Sequence, residues 1–303
     1  FQSVKNLFES PKNSYTIVSM CRIVGYTKQA YYKHDQNMSE EAMRYEIILQ
    51  EIYSIRGKME NLGGDKVYRI LSSHLPENLR IGRKSTYDLM RVHGLIRHKR
   101  CKHVKTTYTV YKLEYHDLIK GLVIDHPNMV WVADITYIRT TSGAFVYLAL
   151  VTDFYSRKII GWNLSERLTL DGAMYALRAA LQTLGEEEKP IHHSDRGCQY
   201  YSKQYTELLK SLNIPISMYT DGDPKNNAVA ERLNGIIKNE MLFNQEINGL
   251  SDGIRKVSEA IYLYNNERPH QSLDYHTPEE VYHMSGNIKR RWNTNYKRKE
   301  FIM

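Results

Sequence analysis

The stretch MVWVADITYI, residues 129–138, decides the fold of this 303-residue chain. Its apolar run is almost unbroken, which predicts a β-strand covered on both faces. Asp134 stands in the middle of the run. A carboxylate is costly in such a strand unless it is paired or binds a metal ion. Asp134 is therefore the first candidate for a functional residue.

The segments that follow predict a sheet around this strand. A turn at Thr141-Ser142-Gly143 leads into the apolar run 144–151, and a third strand follows at 158–164. Two short strands then alternate with three amphipathic helices: the strands are 191–194 and 214–219, and the helices are 169–184, 203–212 and 226–242. This order predicts an α/β fold, a mixed five-stranded sheet with flanking helices.

The front of the chain is predicted to be helical. Its first part has the rhythm of a helix-turn-helix, with a helix, a glycine-bearing turn and a second helix at 15–22, 24–27 and 28–33. A second unit follows, with Gly94 as its C-terminal cap and helices near 40–56, 66–75 and 84–92. A plain helical bundle remains an alternative interpretation of both units.

The net charge of +8 is unevenly distributed along the chain. Lys and Arg exceed Asp and Glu by 21 to 13 in residues 1–128 and by 6 to 1 in residues 288–303, whereas residues 129–287 hold 15 against 20. A basic front and tail around an acidic middle suggest a polyanionic partner such as nucleic acid. A basic cluster after the second helical unit is expected to contact phosphates: Arg91, Arg97, Lys99, Arg100, Lys102 and Lys105.

Composition argues against several classes of protein. The chain is 42% hydrophobic and 25% charged, which is ordinary for a globular protein. No run approaches the roughly 18 apolar residues of a membrane span, and the front lacks a signal-peptide pattern, so we expect no membrane partner and a cytoplasmic location. The three cysteines are far apart with no CxxC pair, which predicts neither disulfides nor zinc; they are Cys21, Cys101 and Cys198.

Two further carboxylates accompany Asp134 in the predicted fold. Asp195 follows the strand 191–194 and so lies at the carboxyl edge of the sheet, where open α/β sheets bind ligands. Glu231 lies on the helix 226–242. At 100° per residue it shares one face, predicted to point away from the core, with Asn234, Gly235 and Lys238.

Three carboxylates brought together repel one another unless divalent cations neutralise them. Mg²⁺ prefers oxygen ligands, and two such ions roughly 3.5–4 Å apart would stabilise the oxygens of an in-line phosphoryl displacement. Lys238 could then bind a phosphate. Taken singly, each acid is better explained as a surface charge or a helix cap, and the other acids nearby are interpreted as structural or turn residues: Asp153, Asp221 and Asp223.

The spacing Asp134, Asp195, Glu231 and Lys238 resembles that of the DDE transposases and retroviral integrases. It is most similar to the B-frame transposases of two-reading-frame bacterial insertion sequences. The motifs that carry the resemblance are WVADITYI (131–138), HHSDRGCQY (192–200), SMYTDGDPKNNAVAERLNGIIKNE (217–240), YNNERPHQSLDYHTPEEV (264–281) and LMRVHGLIRHKR (89–100).

The resemblance implies a ribonuclease H-like catalytic fold with the three acids as metal ligands. It implies cleavage and joining of DNA with two Mg²⁺ ions per site, or Mn²⁺ as a substitute. The expected partners are the element's terminal inverted repeats, target DNA and further copies of the chain, at the bacterial nucleoid. Three residues match the family's downstream positions and are expected to support the site or contact DNA: Asn265, Arg268 and His270.

These considerations give an expected domain organisation. A catalytic domain at 129–245 is flanked by helical parts and a linker: a helix-turn-helix-like unit (1–37), a second helical DNA-binding unit with a basic tail (38–112), a linker (113–128) and a helical, basic extension (246–303).

The sequence departs from the family pattern in a few places. Asn226-Asn227-Ala228 stands where aspartate-asparagine-alanine is usual, which removes one nearby acid but leaves the three ligands, with Asn227 as a supporting residue. Adjacent strand residues point to opposite faces, so His192 is expected to be packed and His193 to face the site. No His/Cys zinc module and no sustained heptads are present, so we expect no zinc and leave open a missing upstream-frame partner or fusion.

Two other functions remain open on this basis. One is a catalytically inactive helix-turn-helix regulator, which the intact set of acids disfavours. The other is a ribonuclease H acting on RNA·DNA hybrids, which the basic helical front disfavours without excluding it. Tyr219 and Tyr264 are candidates for stacking on bases, although packing is the expected role of most tyrosines.

Overall fold

The protein is described by a computed structural model that covers residues 16–23, 25–96, 114–185, 187–219 and 228–286. Its described helices are α1 (Ile17–Ile23), α2 (Lys28–Lys58), α3 (Gly64–His74), α4 (Arg83–Val92), α5 (Leu170–Leu181), α6 (Cys198–Tyr201), α7 (Lys203–Ser211), α8 (Ala228–Ile236), α9 (Gly249–Asn266) and α10 (Pro278–Tyr282). Its strands are β1 (Val130–Arg139), β2 (Phe145–Asp153), β3 (Ile159–Ser165), β4 (Ile191–Ser194) and β5 (Ile216–Met218).

The five strands form one mixed sheet in the order β3-β2-β1-β4-β5. The first three strands are antiparallel neighbours, whereas β4 runs parallel to β1 and β5 parallel to β4. This confirms the predicted α/β class and its ribonuclease H-like arrangement. β1 is buried along its first half because it lies at the centre of the sheet, as its continuous apolar run indicated.

Helix α5 covers one face of the sheet at unusually close range. A Cβ atom at Gly161 on β3 would lie 2.2 Å from the carbonyl oxygen of Ala176 and 2.7 Å from the amide nitrogen of Ala180. Only glycine therefore permits this approach. The alanines of the helix present no bulk that would push it away, and Ala173, Ala176 and Ala180 are all buried.

The front helices differ from the sequence prediction. The helix that begins after Thr27, whose side chain caps the Ala30 amide, does not end at residue 33 but continues to Lys58. The prediction of separate helices at 28–33 and 40–56 is wrong. The polar stretch between them contains neither proline nor glycine, so nothing interrupts the backbone hydrogen bonds. The proposed boundary at 37/38 falls inside this helix.

The second helical unit was predicted closely. Helices α3 and α4 match the predicted segments within two residues, and Gly94 adopts a φ of 66°. The Leu95 amide donates to the Met90 carbonyl at 2.7 Å, which is the glycine-dependent end expected there. The buried side chains of this unit belong to the same hydrophobic core as those behind β2 and β3.

The helix predicted at 226–242 is described from Ala228 onward and changes character partway. After α8 the chain forms a π-helix over Ile237–Met241, a local widening that often accompanies functional sites. The predicted linker also packs against the sheet. The Met218 amide donates to the His116 carbonyl at 3.2 Å, and the Leu118 amide donates to Ser217 Oγ at 2.9 Å. Among the described residues, no helix is long and apolar enough to cross a membrane.

Candidate active site at the carboxyl edge of the sheet

The register of three neighbouring strands brings the predicted acids to one edge of the sheet. Val132 on β1 pairs with His193 on β4, and His193 pairs with Ser217 on β5. Two residues beyond these positions lie Asp134 on β1, Asp195 just after the end of β4, and Tyr219 just after the end of β5. Because side chains alternate between faces and neighbouring strands lie about 4.8 Å apart, these residues are on the same face at adjacent positions of the sheet.

Asp134 is held by two hydrogen bonds. The Asn234 Nδ2 donates to its Oδ2 at 2.7 Å, and the Ile135 amide donates to its Oδ1 at 3.0 Å. Burial, and then the charge of Asp195, raise the pKa of Asp134 to about 7; Glu231 acts in the same direction more weakly. The carboxylate is thus placed where its own charge is poorly neutralised by the protein.

Asp195 is positioned by the turn that follows β4. The Gly197 amide donates to its Oδ1 at 2.9 Å. A Cβ atom at position 197 would lie 2.9 Å from that same oxygen, so a side chain there would displace the carboxylate. Burial raises the pKa of Asp195 and the Gly197 hydrogen bond opposes the rise. The glycine of the SDRG sequence is therefore needed at position 197 to leave room for the Asp195 carboxylate.

Glu231 lies on α8, which crosses the edge of the sheet. Ala230 packs against Val130 and Val132 of β1, and this contact brings the helix next to the acids. Glu231 is exposed, but Asn234 is buried with 8% of its surface accessible. Asn234 does not point away from the core as helical periodicity predicted, because the helix face it occupies is turned onto Asp134; its assignment as a DNA contact stays a prediction.

The donor set suits a hard divalent cation. Mg²⁺ is commonly held by one or two carboxylates together with waters and substrate phosphates, and the adjacent Asp134 and Asp195 supply such a pair. Across the part of the chain that is described, no group of three or more His, Cys, Asp or Glu side chains lies close enough to hold a metal ion. Glu231, on the neighbouring helix α8, is close enough for its charge to raise the pKa of Asp134.

Lys238 lies close enough to Asp134 for the two charges to interact. Burial lowers the pKa of Lys238 and the charge of Asp134 opposes this. Its Nζ is also 4.6 Å from the centre of the Tyr137 ring, and the residue is partly buried.

The two adjacent histidines point to opposite faces of the sheet, as predicted. His192 Nε2 is 2.9 Å from the Tyr205 hydroxyl on the covered face. His193 Nδ1 is 2.8 Å from Ser217 Oγ, and its ring meets Tyr219 edge-on with 4.7 Å between ring centres. Burial lowers the pKa of His193 to about 4, so its imidazole is neutral at pH 7, where its ring packs against that of Tyr219.

The downstream residues are internal. Asn265 bonds both backbone groups of Ile159 at 3.0 and 2.9 Å, which fixes α9 to β3. Arg268 is 3% exposed and donates two hydrogen bonds to Glu240 of the π-helix. His270 is 6% exposed and its Nδ1 lies 2.9 Å from Ser272 Oγ. Their burial is that of internal residues; whether they support the site or contact DNA stays a prediction.

Several predicted residues lie outside the described part of the chain: Asn227, Arg97, Lys99, Arg100 and Lys102.

Sequence reasoning also missed two charged residues that the structure brings together near the site. Glu240 and Lys66 are 174 positions apart, yet Lys66 Nζ is 3.1 Å from Glu240 Oε1. No local pattern links them, and Glu240 ends the IIKNE sequence without a signal of its own. Asp153 is structural as predicted, since it accepts hydrogen bonds from Asn128 and Ser156.

Comparisons with known proteins agree with this architecture. Two family models described as "Integrase core domain" match residues 124–224 and 212–278. Among solved structures, the chain is similar to the magnesium complex of the HTLV-2 integrase catalytic core domain, at 22% identity and a TM-score of 0.43, over 52% of this chain and 98% of that one. The sheet and the family match define a polynucleotidyl transferase.

Curated relatives narrow this class. The transposase for insertion sequence element IS629 of Shigella sonnei is 30% identical over 283 residues, covering 91% of this chain and 94% of the relative. The putative transposase InsK of IS150 from Escherichia coli K12 is 29% identical, covering 88% and 93%. The chain belongs to the DDE transposases of bacterial insertion sequences, within the retroviral integrase superfamily.

Proposed function

We propose that this transposase binds the terminal inverted repeats of its insertion sequence and catalyses Mg²⁺-dependent strand cleavage and strand transfer. Asp134, Asp195 and Glu231 are assigned as the metal ligands. The observation that carries the proposal is that Asp134 and Asp195 directly follow Ala133 and Ser194, which are paired on neighbouring strands. The hydrogen bond from Asn234, on the helix of Glu231, to Asp134 links the third acid to this pair.

The charges at the site explain what the residues do. Burial and the charge of Asp195 raise the pKa of Asp134, and burial raises the pKa of Asp195, so a divalent cation at this position would displace a proton and be held by both carboxylates. Two Mg²⁺ ions, or Mn²⁺ in their place, would supply charge neutralisation for the attacking 3′-hydroxyl and the leaving oxygen. Asn234 orients Asp134, Gly197 orients Asp195, and Lys238 binds a phosphate of the DNA.

The assignment of DNA contacts outside the acids is also a proposal. The basic residues Arg97, Lys99, Arg100 and Lys102 are proposed to contact backbone phosphates of the inverted repeats. Because members of the family synapse two element ends as oligomers, we propose a homo-oligomer on DNA; an upstream-frame partner or fusion stays an open alternative. Action in the bacterial cytoplasm, at the nucleoid, is part of the same proposal.

Charge-removing substitutions test the metal ligands. Asp134→Asn, Asp195→Asn and Glu231→Gln should each reduce cleavage of labelled element ends by roughly 10³-fold or more, because metal ions contribute several kcal/mol to such reactions. DNA binding, measured by gel shift, should be retained. Glu207→Gln is the control, since Glu207 is exposed on α7 and forms a 3.5 Å ion pair with Lys203.

The outcome of the same assay separates the alternatives. Products that require Mg²⁺, vanish with chelator and vanish in Glu231→Gln establish the transposase. Loss of DNA binding in all three variants would contradict their assignment as metal ligands. Tight binding of the ends without any product favours a regulator or a transposase that lacks its upstream half, and hydrolysis restricted to RNA·DNA hybrid favours a ribonuclease H.

A further inference from the structure

Tyr219 completes the row of side chains at the active edge of the sheet. Ser194 pairs with Met218, and the Tyr219 amide donates to the Ser194 carbonyl at 3.4 Å. The next position on β4 is Asp195, so Tyr219 and Asp195 are direct neighbours on adjoining strands. Both side chains lie on the face that also carries Asp134.

The ring of Tyr219 is fixed in place, but its hydroxyl is not satisfied. The ring packs edge-on against His193, and His193 is in turn held by Ser217. The hydroxyl oxygen is buried and has no hydrogen-bond partner among the described residues. A buried hydroxyl without a partner is unfavourable. We therefore look for a hydrogen-bond acceptor that could approach the Tyr219 hydroxyl when a ligand binds at the site.

The surroundings of this hydroxyl identify the acceptor. Burial, followed by the charges of Asp134, Asp195 and Glu231, raises the pKa of Tyr219 far above its ordinary value. A tyrosine hydroxyl is protonated at neutral pH in any case, since its ordinary pKa is about 10, and can donate a hydrogen bond. Its neighbour Asp195 has one oxygen occupied by the Gly197 amide, and a carboxylate has further lone pairs to accept from a second donor.

We propose that Tyr219 is a positioning residue for the metal-binding carboxylates, and that its hydroxyl donates a hydrogen bond to Asp195 when a divalent cation is bound. Metal-ligating carboxylates are usually oriented by such donors, and loss of the donor typically weakens metal affinity or activity by 10–100-fold. The inference rests on the proposed function, because it requires that Asp195 binds the cation. Tyr219 then acts through Asp195 and does not itself touch the DNA.

Tyr219→Phe tests this, because it keeps the ring against His193 and removes only the hydroxyl. In Tyr219→Phe, the affinity of the protein for Mn²⁺ in the absence of DNA, measured by calorimetry, should weaken by roughly 10–100-fold relative to wild type. The Mg²⁺ concentration for half-maximal cleavage should rise by a similar factor, while the rate at saturating Mg²⁺ approaches that of wild type. The melting temperature in chelator should not fall, since the hydroxyl has no partner to lose.

Tyr205→Phe is the matched control, because it removes a buried hydroxyl that does have a partner, His192. It should lower the melting temperature and leave Mn²⁺ affinity unchanged. An Mn²⁺ affinity in Tyr219→Phe equal to that of wild type would overturn the inference. Weaker DNA binding with unchanged Mn²⁺ affinity would also overturn it, because the hydroxyl would then be a DNA contact. Absence of Mn²⁺ binding in the wild-type protein would instead overturn the proposed metal site. A wild-type protein that cleaves DNA distinguishes failure of the Tyr219 inference from failure of the proposed function.

Discussion

Replacement of Lys66 by methionine should not destabilise the protein, although it removes a buried ion pair. Glu240 on the π-helix has two cationic partners: Lys66 at 3.1 Å and Arg268 at 2.7 Å. Arg268 reaches one Glu240 oxygen through both Nε and Nη2. Two cations thus share one carboxylate in a buried cluster, and Lys66 carries the surplus charge.

The pKa of Lys66 gives the magnitude. Burial, and then the charge of Arg268, lower it from 10.5 to about 8. At roughly 1.4 kcal/mol per pKa unit, protonated Lys66 costs the folded state about 3 kcal/mol relative to the unfolded chain. The cost is fully present below pH 8. It is relieved as pH rises from about 8 to 10.5, because the unfolded chain then binds a proton that the folded protein does not.

The assay is urea unfolding of wild type and Lys66→Met at a series of pH values. At pH 7 the variant should be as stable as wild type or more stable, by up to about 3 kcal/mol. Between pH 7 and pH 9.5, the free energy of unfolding of wild type should rise by about 2 kcal/mol relative to that of the variant. Groups other than Lys66 titrate in both proteins and largely cancel in the difference.

Arg268→Met is the contrasting variant. It removes the partner that holds Glu240 through two hydrogen bonds, so it should destabilise the protein by roughly 3–5 kcal/mol. A constant difference between wild type and Lys66→Met from pH 7 to 9.5 would refute the reasoning. So would a variant that is less stable than wild type by more than about 1 kcal/mol at pH 7, since Lys66 would then be a net stabiliser.

Two further predictions concern packing and capping. Gly161→Ala should destabilise the sheet by about 3 kcal/mol or more in thermal or urea unfolding, because the new methyl meets backbone atoms of α5; Gly57→Ala, which meets nothing within 4 Å, should be neutral or stabilising by up to about 1 kcal/mol. Thr277→Ala should cost about 1 kcal/mol by removing the capping box with Glu280, and no loss would show that α10 is held by packing alone.

The sheet was predictable because its strands carry strong local signals. The apolar run around Asp134 and the alternation that follows require no tertiary information. The front helix α2 was divided wrongly, although no proline or glycine stands between residues 33 and 40 to favour a break in its hydrogen bonds. The π-helix could not be predicted, since its Glu240 is stabilised by partners from α3 and from the chain after α9.

The site was predictable in part. Asp134 and Asp195 follow from strand position, and β-sheet register places them side by side as expected. Asn234 was assigned to DNA because helical periodicity gives a face but not what covers it. Arg268 and His270 were open between two roles for the same reason. Tyr219 was noticed only as a base-stacking candidate, because the unsatisfied state of its hydroxyl depends on contacts between strands.

The uninterrupted helix α2 has a mechanical consequence. Its 31 residues span about 46 Å at a rise of about 1.5 Å per residue. A duplex lying alongside it would complete more than one turn, about 34 Å, over that length. A continuous helix is stiffer than a flexible linker. Any molecule bound at its first turn is therefore held at a fixed distance and angle from the elements that pack against its last turn.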